Sequence, residues 1–279
     1  MSAISVDPAS LPSVQAALNY VAPMTEKPFN YTYGPPPGMP RTNAVQDPRT
    51  VAIHSLRPVE RELSLDGEGF AIAHHKSAVA DFYDEDELTR VYYPEIEALV
   101  MSQTGARRVK VFDHTVRRRE WDTQDRVPGV ARGPVMRVHN DFTEWSGPQR
   151  VRDLMGGEAD SLLRRRVAFI NVWRPIRGPL LDHPLAVCDA RSTNPEDFVG
   201  SEQRYEDRNG EIYIVRYNPA HRWFYAPAMR KDEAMLIKCY DSDRTVARFV
   251  AHSAFDDPTM QADAPPRESI EIRTIAFFA

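Results

Sequence analysis

The sequence predicts a mainly β protein, a sandwich or distorted barrel with a few helices packed outside it. Three observations carry this expectation. The second half of the chain reads as short runs of β-branched and aromatic residues separated by turns. Helical periodicity is confined to a few stretches. A proline-rich stretch near the N-terminus excludes both a regular ladder and a helix interior.

Taken in order, residues 1–21 are expected to hold a short helix, because Leu11, Val14, Ala17 and Leu18 share one helical face. Pro23, Pro28, Pro35, Pro36, Pro37, Pro40 and Pro48 follow. They make residues 1–50 an extended proline-rich arm lying on a domain of residues 51–279. Asp66-Gly67-Glu68-Gly69 reads as a turn into a strand at 70–73. A helix is expected over 84–104, with an acidic cap, Asp86 and Glu87 in its first turn, and Gly105 closing it. A strand at 108–113 comes next. A further helix fits 146–155, with Ser146 as cap and Pro148 near the first helical position. The remaining strands are expected at 167–173, 185–189, 212–217, 234–240, 247–251 and 269–278.

Composition narrows the function classes. The chain has 279 residues, 42 % of them hydrophobic and 27 % charged, enough for a sizeable core. A net charge of -5 gives no general electrostatic reason to bind nucleic acid or an anionic membrane. Two basic runs, Arg117–Arg118–Arg119 and Arg164–Arg165–Arg166, read as solvated faces. Cys188 and Cys239 sit in apolar stretches and are expected to be buried free thiols of a reducing compartment. The first residues lack a basic region followed by a continuous apolar run, and no apolar run is long enough to span a bilayer. The expected setting is cytoplasmic.

The strongest chemical signal is Val138-His139-Asn140-Asp141. Alternate strand residues share a face, so His139 and Asp141 can reach one metal together. An imidazole and a carboxylate, completed by a distant histidine, form the facial triad of non-haem iron oxygenases and leave three positions open. Alone, such a triplet is more often a surface polar run. The C-terminal third adds weight. His252 follows an apolar strand, and Arg267 lies fifteen residues later, with Ser269 on the same face of the last strand. A guanidinium fork and a hydroxyl suit the far carboxylate of 2-oxoglutarate. An ordinary salt bridge from Arg267 to Glu268 or Glu271 is the plainer alternative.

His221 is a rival third ligand, but its Asn218-Pro219-Ala220 context is turn-like and His252 is preferred. Asn171 is a candidate partner of the cosubstrate and Arg174 of an anionic substrate group. Trp223 and Tyr225 are candidates for the substrate cavity. Each has a structural role in the core as its alternative. His114, after a strand, reads as structural.

In combination these motifs resemble the double-stranded β-helix oxygenases. More narrowly, the chain resembles the gibberellin desaturase-like and cephalosporin methoxylation-related family of secondary metabolism. The segments that carry the resemblance include His139-Asn-Asp-Phe-Thr, Asn171-Val-Trp-Arg-Pro175, His221-Arg-Trp-Phe-Tyr225, His252-Ser-Ala-Phe-Asp-Asp-Pro258 and Pro265-Pro-Arg-Glu-Ser-Ile-Glu-Ile-Arg273. The resemblance runs from about residue 66 to the C-terminus. It implies a double-stranded β-helix (jelly-roll, cupin-like) core, with Fe(II) on His139, Asp141 and His252. 2-Oxoglutarate and O2 would be the cosubstrates, the distal carboxylate held by Arg267 and Ser269, with the same-facing Arg273 as rival anchor.

The implied reaction hydroxylates, desaturates or oxidatively cyclises a small natural-product or amino-acid-derived substrate and releases succinate and CO2. Two readings from other classes stand beside it. The same ligands could hold zinc for hydrolysis, or the domain could be a non-catalytic small-molecule binder. Buried histidine and aspartate are costly to keep together without a metal, which disfavours the binder. A small-molecule substrate is the expected partner, with no nucleic acid and no membrane; oligomeric state is left open.

Overall fold

A computed structural model describes residues 7, 10–119, 133–261 and 263–279. Among the described residues fourteen strands form two sheets. In spatial order the larger sheet holds β1 (Ser13–Val21), β3 (Gln46–Ser55), β11 (Trp223–Tyr225), β8 (Leu185–Cys188) and β13 (His252–Ala254). It continues through β6 (His139–Asn140), β10 (Asn209–Val215), β9 (Phe198–Arg204) and β2 (Phe29–Tyr31). The smaller sheet runs β4 (Phe70–His74), β12 (Glu233–Asp241), β7 (Val167–Pro175), β14 (Glu268–Phe277) and β5 (Arg108–Arg118). The architecture is the double-stranded β-helix that the sequence motifs imply.

Strand parity explains how the layers are filled. On β7, Phe169 and Trp173 point between the sheets and pack with Phe142, Val187, Phe224 and Ile275. The alternating Ala168, Ile170 and Val172 point outward, where they meet Tyr92, Ile96 and Val100 of the long helical segment. That segment starts at Glu85–Glu87, passes through a π turn at Leu88–Tyr92 and ends as α1 (Tyr93–Thr104). Asp84 caps it by accepting from the Asp86 and Glu87 amides, and Gly105 closes it in the left-handed region at φ 71°. The outer face of the larger sheet is filled by Tyr20, Ile53, Trp223 and Phe255.

Several expectations are corrected. The stretch 13–21 is strand β1, not helix, and its buried residues Val14, Ala16, Leu18 and Tyr20 alternate with period two; residues 1–6, 8 and 9 of the expected helix lie outside the described residues. The 50/51 boundary falls inside β3, which pairs antiparallel with β1, while β2 pairs with β9. Residues 247–251 form no strand: the Ala247 and Val250 amides donate individually to the Asp66 and Lys238 carbonyls, and the strand begins only at His252.

α2 (Ser146–Met155) is present, but Ser146 is not its cap. Thr143 and Ser146 bond reciprocally, amide of each to hydroxyl of the other, so Thr143 fills that role. The basic runs are not simply solvated. Arg166 pairs with Asp241 and Asp66, and Arg119 with Asp182.

Gly69 joins the turn to β4 at φ +89°, where a Cβ would overlap Val250. Left-handed strain and overpacking then act together. Gly69→Ala is expected to destabilise the fold by about 2–4 kcal/mol, measured by denaturant unfolding.

Candidate metal centre

The two histidines meet because their strands pair. His252 on β13 is the direct cross-strand partner of His139 on β6, and their ring centroids lie 4.4 Å apart. Asp141 follows on the same face, with Oδ1 3.6 Å from His139 Nε2. One ligand atom from each of His139, Asp141 and His252 falls within 4.8 Å of the others.

Each ring is oriented by a backbone carbonyl two residues before it. His139 Nδ1 donates to the Arg137 carbonyl at 2.8 Å, and His252 Nδ1 to the Val250 carbonyl at 2.9 Å. A carbonyl can only accept, so Nδ1 carries the hydrogen in both rings and Nε2 is the nitrogen left to serve as a ligand. Burial, with His252 alongside, pushes the His139 imidazole down to about 3. Deep burial opposes a charged Asp141, yet Arg273 and the two histidines hold its carboxyl well below the usual range.

The carboxylate is also gripped on one side. Asn171 Nδ2 donates to Asp141 Oδ2 at 2.7 Å, and Arg273 Nε to the same oxygen at 3.1 Å. Oδ1 is the oxygen turned toward His139. Arg273 is itself held by Asp113, Thr115 and Glu271.

Among the described residues, His252 Nε2, Asn171 Oδ1 and the indole nitrogen of Trp173 are buried here without a hydrogen-bond partner. A buried polar group without a partner calls for one, such as a water, an ion or a ligand. Two imidazole nitrogens and a carboxylate oxygen on one side suit a divalent transition metal with open positions.

The other candidates separate clearly. Arg267 is buried: Nε donates to Ser269 Oγ at 3.0 Å, Nη1 to the His183 carbonyl at 2.8 Å, and its Cζ sits 4.9 Å from the Trp173 ring. Among the described residues no side-chain carboxylate bonds this guanidinium, and burial, with Arg117 nearby, pushes it down to about 9. The plain salt bridge to Glu268 or Glu271 is therefore absent.

Arg174 does not face the site. As an even-numbered residue of β7 it points under the helical segment, donating to the His75 and Lys231 carbonyls. Trp223 and Tyr225 pack in the outer cluster with Tyr20 and Phe255, and Trp223 donates to Tyr20 Oη at 2.7 Å. The inward residue of β11 is Phe224. His221 lies between Asp197 and Tyr20, away from the centre. His114 bonds Tyr93 and pairs with Glu85.

Two asparagines escaped the sequence reading. Asn19 on β1 accepts from the Val138 amide through its carbonyl and donates through Nδ2 to the Met136 carbonyl, so the arm buttresses the strand that carries His139. Asn140 points away from the metal face, donating to the Phe142 and Cys239 carbonyls and accepting from the Val250 amide. It thereby ties the His-x-Asp turn to the approach of His252. Its position between two candidate ligands was the available signal. A cavity of about 440 Å³ opens beside the centre, lined by His139, Asp141 and Arg273 and walled on one side by Asn30, Arg41 and Gln46 of the N-terminal segment.

A largely enclosed two-histidine, one-carboxylate face in a jelly-roll suits a mononuclear non-haem metal oxygenase. Comparison with known proteins agrees. Residues 18–277 match the family model described as "Oxidoreductase/YMDC permease-like domain". The chain is 31 % identical over 260 residues to the Fe(II)/2-oxoglutarate-dependent dioxygenase nvfI of Aspergillus novofumigatus, covering 91 % of this chain and 92 % of that one. It is 32 % identical to the hydroxylase/desaturase efuI of Hormonema carpetanum, over 96 % of both. The solved structure of the iron and alpha-ketoglutarate-dependent endoperoxidase NvfI superposes with a TM-score of 0.86 at 28 % identity, covering 96 % of this chain and 98 % of that one. The chain belongs to this family of Fe(II)/2-oxoglutarate-dependent dioxygenases, and it is an enzyme that uses Fe(II), 2-oxoglutarate and O2.

Proposed function

We propose that His139 Nε2, His252 Nε2 and Asp141 Oδ1 hold the iron. Arg267 and Ser269 receive the distal carboxylate of 2-oxoglutarate, and the enzyme oxidises a small natural-product scaffold in secondary metabolism. The relatives' names, dioxygenase, hydroxylase/desaturase and endoperoxidase, support oxidative tailoring; hydroxylation, desaturation and oxidative cyclisation all remain open to it. The observation that carries the ligand assignment is the pair of Nδ1–carbonyl bonds, which aims two free Nε2 atoms at one carboxylate oxygen.

Iron(II) supplies the site at which 2-oxoglutarate and oxygen react, with succinate and CO2 released as an unactivated carbon is oxidised. The chain's own residues do the rest. Asn171 and Arg273 fix Asp141 through Oδ2, reserving Oδ1. Trp173 lies beneath Arg267 with an unpaired N–H that suits a carboxylate oxygen. Apolar neighbours Phe142 and Phe169 exclude water from one side. The proposed setting is the cytoplasm; among the described residues no helix is long and apolar enough to cross a membrane.

Anaerobic addition of iron(II) and then 2-oxoglutarate to the apoprotein should produce a weak visible metal-to-ligand charge-transfer band. Tight metal binding without that band would count against the assignment. Asn171→Ala and Arg273→Ala should each weaken iron binding by about 10–100-fold, the usual cost of removing a group that orients a ligand. Metal titration checks this.

A further inference from the structure

The cavity beside the centre is cationic in a chain that is acidic overall. Its described lining carries six arginines (Arg41, Arg117, Arg137, Arg150, Arg208 and Arg273) against four carboxylates, Asp113, Asp141, Asp153 and Glu211. The chain as a whole has a net charge of -5. Ferrous iron and the dianionic cosubstrate cancel, so they leave this surplus in place.

Most of these groups are already engaged. Arg273 is bound to Asp141, Asp113 and Glu271. Arg41 donates to the Tyr31 and Tyr33 carbonyls, Arg117 to the Gly133 carbonyl and Arg208 to Asp207. Glu211 accepts from Lys27 and Thr143, and Asp153 from Gln149.

Two guanidinium groups differ: Arg137 and Arg150 have no side-chain hydrogen bond or ion pair among the described residues, and Arg137 Nε is buried without a partner. Arg137 stands two residues before His139, on the same side of an extended segment, and its carbonyl orients that ligand. Arg150, on α2, lies with Cζ 5.3 Å from the centroid of Phe112, another cavity residue. Met136, Phe142, Trp145 and Ile212 supply apolar wall between the charges.

Resting on the iron and 2-oxoglutarate reading above, we propose that the substrate is an apolar scaffold bearing a carboxylate. Arg137 is its specificity-determining residue and Arg150 a second cation facing the same group. A guanidinium presents two parallel N–H bonds that match the two oxygens of a carboxylate. A guanidinium whose Nε is buried without a partner, and which carries no acid among the described residues, is otherwise an uncompensated cost beside a metal centre. The aromatic and aliphatic wall suits the uncharged body of such a molecule. Anchoring one end of the scaffold next to His139 fixes which carbon faces the metal.

The test uses the anaerobic complex of the full chain with iron(II) and 2-oxoglutarate. The probes are 1-naphthoate, 1-adamantanecarboxylate and their methyl esters, read by perturbation of the charge-transfer band and by thermal shift. Each acid is expected to bind about tenfold or more tighter than its ester, a margin that shrinks with added salt. Arg137→Gln should erase the difference while leaving 2-oxoglutarate affinity and ester affinity unchanged. Arg150→Gln should reduce it by a smaller factor.

Equal binding of acid and ester, no binding of either acid, or a loss of 2-oxoglutarate affinity in Arg137→Gln would each overturn the proposal while the oxygenase reading stood. Absence of the band from the wild type would instead sink the oxygenase reading, and this inference with it.

Discussion

Replacing His252 by alanine is expected to abolish the charge-transfer band and to weaken iron binding by more than the roughly 10–100-fold that loss of an outer-shell group costs. His252 Nε2 is a buried acceptor with no partner, and its ring is held by one carbonyl, so it has no structural bond through that atom to lose. The variant should therefore keep near-native thermal stability as apoprotein, with only a modest cavity penalty. His221→Ala should do the opposite. His221 links Asp197 to Tyr20, whose hydroxyl in turn accepts from Trp223. Its removal leaves buried polar groups unsatisfied and should cost about 1–3 kcal/mol of stability while the band survives. Paired metal titration and denaturant unfolding separate the two. A band retained in His252→Ala would overturn the ligand assignment.

How far the sequence alone reaches is instructive at particular residues. That His139, Asp141 and His252 come together was legible because a period-two pair, His139 and Asp141, carries its geometry locally, and His252 adds a third donor after an apolar run. Arg174 was misread for a matching reason. Its chemistry suits an anion, but parity on β7 puts Asn171 and Trp173 inward and Arg174 outward, and parity is assigned only once the buried face of the strand is known.

Trp223 and Tyr225 fail in the same way, one residue either side of the inward Phe224. β1 was missed because Leu11, Val14 and Leu18 fit a helical face as well as Val14, Ala16, Leu18 and Tyr20 fit a strand. Only pairing with β3 decides between them. Asn19 and Asn140 act through backbone partners distant in sequence, which no local pattern discloses.

Arg267 and Arg273 were rivals for one role, and their environments give them different expected phenotypes. Arg273 is buried among Asp141, Asp113 and Glu271, which keep its guanidinium firmly charged despite burial. Its charge is engaged by these carboxylates. Among the described residues no acid bonds the Arg267 guanidinium, and burial pushes it down to about 9. An unpaired buried cation is destabilising until an anion arrives.

Arg267→Met, close in volume, is therefore expected to leave the apoprotein as stable as the wild type or slightly more so. Its 2-oxoglutarate dissociation constant should nevertheless rise by about two orders of magnitude, the scale of losing one partner of a buried charged pair. Iron binding should be unchanged, whereas Arg273→Met should impair iron binding first. Saturating 2-oxoglutarate should raise the unfolding temperature of the iron-loaded wild type, because a ligand bound only by the native state stabilises it. At the same concentration Arg267→Met should show little of that rise. Calorimetric titration of 2-oxoglutarate into the iron-loaded variants decides the matter: an unaltered affinity in Arg267→Met together with a lost one in Arg273→Met would transfer the anchor to Arg273.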